Sequence, residues 1–287
     1  MLKKVIISTM TVLMLAGCSD ATAEYKGDNP ELFSVGDYKV TKKDLYDGMM
    51  SNNGASTAYS IAETAVLDKE AEITDEMIEK ARGDLDFYKQ LYGDNYESML
   101  SSMNMTEDEY VEKQLTIGSR KQVLTDKYID ANYDALCEEL KPVMAIIVPA
   151  ETAEIADKAA MDIKAGMNIA DVITKHELGG SAEAQLILGT NTEYSKSVLK
   201  AISSDDTTGK WIKIENVGQM SPAYYIVKAE KLDYEKDKTQ IVEGFKADMQ
   251  MADKAEAYFM KQYGFKVYDV NLKNALESEY SFLSLGF

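Results

Sequence analysis

The sequence predicts an α+β protein: a mainly helical body built from N- and C-terminal segments, with a small α+β module inserted between them. Three observations carry this. Between residues 41 and 140 nearly every segment places apolar residues at helical spacing. At Pro142 the texture changes to short apolar runs punctuated by Gly and Pro. After Asp233 a single apolar stripe (Ile241, Val242, Phe245, Met249, Ala252, Ala255, Phe259) returns to the helical period. A lone amphipathic helix needs an apolar partner, and the N-terminal helices are the nearest supply.

Taken in order, residues 1–17 read as a signal peptide. Lys3 and Lys4 precede an apolar run from Val5 to Leu15, followed by Ala16 and Gly17. That run is too short to span a membrane, which takes about 20 residues. Residues 18–32 form a polar linker. Phe33–Val40 reads as two short strand pieces around a Gly-Asp turn. Thr41, with Asp44 three residues on, caps a helix whose Leu45 and Met49 are expected to face inward; a second helix runs from Ser56 to about Glu70. Thr74 opens a third helix with Met77, Ile78, Ala81, Leu85, Tyr88 and Leu91 at helical spacing, and a short helix spans Tyr96–Met103. Thr106 and Glu109 make a capping box for one long helix ending near Leu140.

In the insert, Val143–Val148 is a buried strand, Glu151–Lys164 and Ile169–His176 are helices, and Gly179-Gly180 breaks the second. Gln185–Leu188 fits a further strand and Tyr194–Ile202 a helix; Lys210–Ile214 and Tyr224–Lys228 are strands. Beyond the returning stripe, Phe265–Val270 alternates like a strand, and a last helix covers Asn271–Glu279.

Composition narrows the chemistry. The chain of 287 residues carries 31 basic and 49 acidic residues, a net charge of −18, with no basic tract. Nucleic-acid binding is therefore not expected, because that affinity comes from Lys and Arg neutralising phosphates. Residues 19–140 hold 12 basic against 27 acidic side chains, a net of −15, so the acidity is concentrated in the N-terminal half. A single His, His176, excludes His-rich metal sites and any Ser-His-Asp triad built without it; at the end of a short helix it complements the helix dipole. No metal and no cofactor is expected, and no phosphate-cradling Gly-rich motif occurs. Cys137, within the helical pattern Ala131–Leu140, reads as a buried small hydrophobe.

Leu15-Ala16-Gly17-Cys18 resembles the bacterial lipobox. The resemblance implies lipidation at Cys18 and extracytoplasmic attachment to the bacterial cell membrane, since two acyl chains anchor stably where one is marginal. Removal of residues 1–17 would bring the net charge to −20. Further along, Val35-Gly-Asp-Tyr-Lys-Val-Thr-Lys-Lys-Asp-Leu45, the helix start Met105-Thr-Glu-Asp-Glu-Tyr and the closing Tyr263-Gly-Phe-Lys-Val-Tyr-Asp-Val complete a pattern. In this order and spacing the chain resembles the PrsA-type foldase lipoproteins and, more distantly, the SurA-type chaperones.

The resemblance implies a helical chaperone lobe made of residues 33–140 and 234–287 around a parvulin-like peptidyl-prolyl isomerase module at 141–233. It also implies unfolded exported proteins as partners and action without ATP. Against the family pattern, the first His position of the module is Ala145 and the second is Tyr225; weak or absent isomerase activity follows as an expectation. A remodelled pocket would use Tyr225 with Met144 or Tyr224, which leaves a working isomerase as one alternative and a ligand-binding or adhesin lipoprotein as another. Methionine accommodates varied apolar partners, so Met99, Met103, Met105 and Met249, with Phe259, are the expected client-binding residues. The sequence leaves the oligomeric state open.

Overall fold

The computed structural model describes residues 27–191, 193–204, 206–217 and 222–283. The signal peptide and Cys18 lie outside the described residues, as does Ser221 in the loop before the last strand of the insert. The chain divides into two compact units, one made of residues up to 74 together with those from 256 onward, the other of residues 75–255.

In the first unit, β1 (Glu31–Val35) and β2 (Tyr38–Thr41) form an antiparallel hairpin. α1 (Lys42–Glu70) starts at the expected capping box: the Asp44 amide donates to Thr41 Oγ1 at 3.3 Å and the Thr41 amide to Asp44 Oδ2 at 2.8 Å. That backbone bond holds the Asp44 carboxyl below its ordinary pKa. The two helices read on either side of residue 50 are one element kinked at Asn53 (φ −139°). Leu45 and Met49, expected inward, are exposed. α11 (Val270–Glu279) packs on α1, and Tyr59 of α1 stacks on Tyr280 with ring centroids 4.1 Å apart. The expected strand at Phe265–Val270 is not formed. Asp269 instead caps α11, its Oδ1 accepting the Leu272 amide at 2.9 Å. α10 (Gln250–Gln262) contributes Phe259, Met260 and a buried carboxyl, Glu256, which accepts a hydrogen bond from Tyr59. Burial pushes the Glu256 pKa up to about 7.

In the second unit, α2 (Asp75–Tyr92) and α3 (Tyr96–Ser102) cluster Ala81, Leu85 and Tyr96 with Tyr110 and Val111. The Thr106–Glu109 capping box is present at the start of α4 (Glu107–Tyr110), and the Thr106 amide holds the Glu109 carboxyl at about 2. The single long helix expected from there is interrupted by a π-helical stretch, Val111–Leu115, before α5 (Ile117–Leu140). Thr116 donates its hydroxyl to the Glu112 carbonyl at 2.5 Å at this step. Lys141, with φ +43°, closes α5 in the left-handed region and turns the chain into the sheet.

The sheet is antiparallel throughout, in the order β4 (Gln185–Ile187), β3 (Val143–Ala150), β6 (Tyr224–Lys231), β5 (Trp211–Glu215). On one face α6 (Ala153–Lys164) and α7 (Ile169–Lys175) bury Ala159 and Val172 against Val148 and Ile226. On the other, α8 (Lys196–Ile202) buries Val198 and Ile202 against Ala145, Val227 and Ala229. α9 (Lys238–Ala247) packs on α5 and on β4, with Ile241 and Phe245 in one cluster with Ile129, Leu136 and Cys137. A Cβ on Gly244 would meet the tip of the Leu186 side chain, so a larger residue there would make Leu186 shift.

Candidate functional site

Strand pairing positions the site. β3 and β6 align so that Ala145 faces Ala229, Ile147 faces Val227 and Pro149 faces Tyr225. With side chains alternating along each strand, these six share one face. α8 covers the Ala145–Ala229 end. At the Pro149–Tyr225 end a cleft of about 380 Å³ opens, floored by Ile147, Pro149, Tyr194 and Tyr225. One wall is the Gly179-Gly180 turn. Gly180 has φ +85°, and a Cβ there would sit 2.9 Å from the Ile147 carbonyl oxygen and 3.0 Å from Pro149 Cδ. Only glycine allows the turn to lie this close to β3. Ser181, Glu183, Gln185 and Glu193 form the rim.

The tyrosines meet edge to face, with centroids 5.7 Å apart and planes at 76°. Burial, then the Glu193 and Glu151 charges, raise the Tyr225 hydroxyl pKa; burial, then Glu193, raise that of Tyr194. Both phenols stay protonated at neutral pH and can donate. Tyr225 is only 7% exposed and lines the cleft. Among the described residues no group of three or more His, Cys, Asp and Glu side chains is arranged to hold a metal ion.

The structure separates the residues read as one pocket. Tyr225 lines the cleft. Ala145, only 1% exposed, does not line it and lies in the apolar core beneath α8. Met144 and Tyr224 are corrected. Neither lines the cleft, because each is one residue out of phase with the strand positions that do. Met144 packs against the α5–α9 cluster and accepts from Gln240 Nε2 at 3.2 Å, while the Tyr224 ring lies 5.4 Å from Lys213 Nζ. His176 ends α7 on the opposite side of the sheet, its Nε2 2.7 Å from Asp162 Oδ2. Cys137 is buried in α5, where burial raises its thiol pKa. The rim glutamates and Tyr194 escaped sequence reading, because they come from loops with no motif of their own.

The expected client-binding residues differ in exposure. Met99 packs partly buried against the α2–α4 cluster; Met103 is exposed and Met105 half-buried beside it. Met249 is 92% exposed between α9 and α10. Phe259, 5% exposed, is a core residue of the first unit rather than a contact surface.

No family model matches the chain. Among curated proteins it is 24% identical to foldase protein PrsA 2 of Listeria innocua over 95% of this chain and 93% of that protein. To foldase protein PrsA of Staphylococcus epidermidis it is 26% identical over 96% of the chain and 91% of the relative. Solved PrsA structures from Streptococcus pneumoniae (20% identity, TM-score 0.42, covering 87% of this chain and 99% of that one) and Bacillus cereus (15%, 0.47, 88% and 99%) also align. An antiparallel four-stranded sheet flanked by helices, set in a mainly helical chain, makes this an α+β protein. Along nearly its whole length the chain is similar to PrsA-type foldases.

Proposed function

We propose that this chain is an extracytoplasmic foldase-type chaperone, tethered by lipid at Cys18, that binds unfolded exported proteins without ATP. In this reading residues 33–140 and 234–287 form the chaperone lobe, and the module at 141–233 holds prolyl or other apolar segments and isomerises them weakly or not at all. The observation that carries the binding role is the cleft itself: an apolar and aromatic floor lined by the nearly buried Tyr225, with no imidazole in it. Parvulin chemistry lowers a barrier of about 18–20 kcal/mol by holding a twisted prolyl amide beside a polar network. The one His of this chain is engaged by Asp162 across the sheet and supplies no part of such a network. The end-to-end likeness to curated foldases supports the folding role, and among the described residues no helix is long and apolar enough to cross a membrane.

A second reading, a working isomerase built on Tyr225, draws on the two protonated phenols in the cleft. A proline-peptide isomerisation assay on the full chain decides between them. The binding reading expects a rate close to the uncatalysed one; a rate like that of an active parvulin, lost in Tyr225→Phe, would overturn it. Suppressed aggregation of a denatured client without nucleotide is the expected chaperone result, and a client that aggregates unchanged would count against the folding role.

A further inference from the structure

The cleft combines two features that together select a ligand. Its floor is apolar and aromatic, and Tyr225, nine-tenths buried as a residue, lines it. Its rim carries Glu183 and Glu193, both exposed, and no lining residue is basic. The Glu193 charge acts on both tyrosines, and Glu151 adds to the negative field at Tyr225. A neutral or anionic segment would satisfy the floor and gain nothing from the rim; a cation beside the apolar group satisfies both.

Building on the binding role proposed above, we infer that the cleft selects extended peptide segments in which a proline stands next to a lysine or arginine. The prolyl ring lies on Pro149 and Ile147, a backbone carbonyl of the peptide accepts from the Tyr225 hydroxyl, and the neighbouring cation sits between Glu183 and Glu193. Exposed ion pairs contribute modestly, so the rim discriminates among prolyl segments and does not supply the bulk of affinity.

The test is fluorescence anisotropy of three labelled peptides, Ala-Lys-Pro-Phe, Ala-Ala-Pro-Phe and Ala-Glu-Pro-Phe, titrated with the full chain. The lysine peptide is expected to bind about threefold to tenfold more tightly than the glutamate peptide at low salt, with the gap closing at high salt. In the Glu183→Gln/Glu193→Gln double variant that gap should vanish. Tyr225→Phe, which keeps the ring, should weaken all three. Equal binding of the three peptides by the unmodified chain, or a lysine preference that survives in the double variant, overturns the charge selection and leaves the cleft as a binding site. Failure of every peptide to bind, or binding indifferent to Tyr225→Phe, overturns the binding role and this selection together.

Discussion

Toward α6 and α7 the sheet presents Val148 and Ile226, which have almost no solvent contact and pack on Ala159 and Val172. Toward α8 it presents Ala145 and Val227 in the same manner, but Pro149 and Tyr225, at the far end of the same two strands, face a hollow. One pair of strands thus builds a sealed face and a face open at one end. The difference lies in helix cover: α6 and α7 together span their side, while α8 has only seven residues. It teaches where chemistry can reside in this module. The single imidazole is on the sealed side, and the open side holds phenols and carboxylates.

If the sealed face is core and nothing else, Ile226→Ala should cost about 2–5 kcal/mol through lost contacts and a residual cavity, read as a lower urea midpoint. Tyr225→Phe, on the same strand one residue away, should leave the midpoint almost unchanged while weakening peptide binding. Equal stability losses in the two variants would erase the distinction between the faces.

Ala145→His tests the boundary between core and cleft. The substitution places an imidazole where the resemblance to parvulins implies one, but at a position closed off by Val198 and Ile202. An overpacked polar ring there should cost about 1–3 kcal/mol and bring no isomerase activity. A gain of activity without loss of stability would mean that position 145 reaches the substrate.

Gly180→Ala acts on the cleft wall. With φ +85° and a carbonyl 2.9 Å from the new carbon, the turn must move off β3 at a cost of about 1–2 kcal/mol. Peptide binding should fall while the α6–α7 face stays protected in hydrogen exchange; unchanged binding would show that the wall plays no part.

Legibility in the sequence follows the range of the interaction concerned. Both capping boxes were readable, because Thr41 with Asp44 and Thr106 with Glu109 are local pairs. The strands and helices of the insert were readable to within a few residues for the same reason. Phe265–Val270 has strand alternation, but a strand exists only where another edge pairs with it, and Asp269 is used as a helix cap instead. Periodicity places Leu45 and Met49 on one stripe without saying whether anything covers it, and both are exposed. Tyr225 lines the cleft while Met144 and Tyr224, one residue out of phase, do not, because facing depends on which side of the sheet is open. Glu183 reaches the rim beside β4, through the long-range pairing of β4 with β3, and Glu193 from the segment between β4 and α8, which no local spacing reveals.

The smallest expected effect is on the sealed side, at His176. Its Nε2 and Lys175 Nζ both lie 2.7 Å from Asp162 Oδ2. Replacing His176 with Ala leaves Lys175 as a partner, so the loss should be about 1 kcal/mol or less, and peptide binding should not change, because the sheet stands between this pair and the cleft. The sign of the pH dependence follows from Asp162. Hydrogen bonds from Lys175 and then His176 hold its carboxyl below the ordinary value in the folded state. A carboxyl depressed on folding contributes stability above its unfolded pKa and loses that contribution as pH falls through the folded value. Asp162→Asn should therefore flatten the acid side of the stability curve and leave the neutral-pH affinity for the lysine peptide intact. A change in that affinity would show that the sealed and open faces are coupled through β3 and β6.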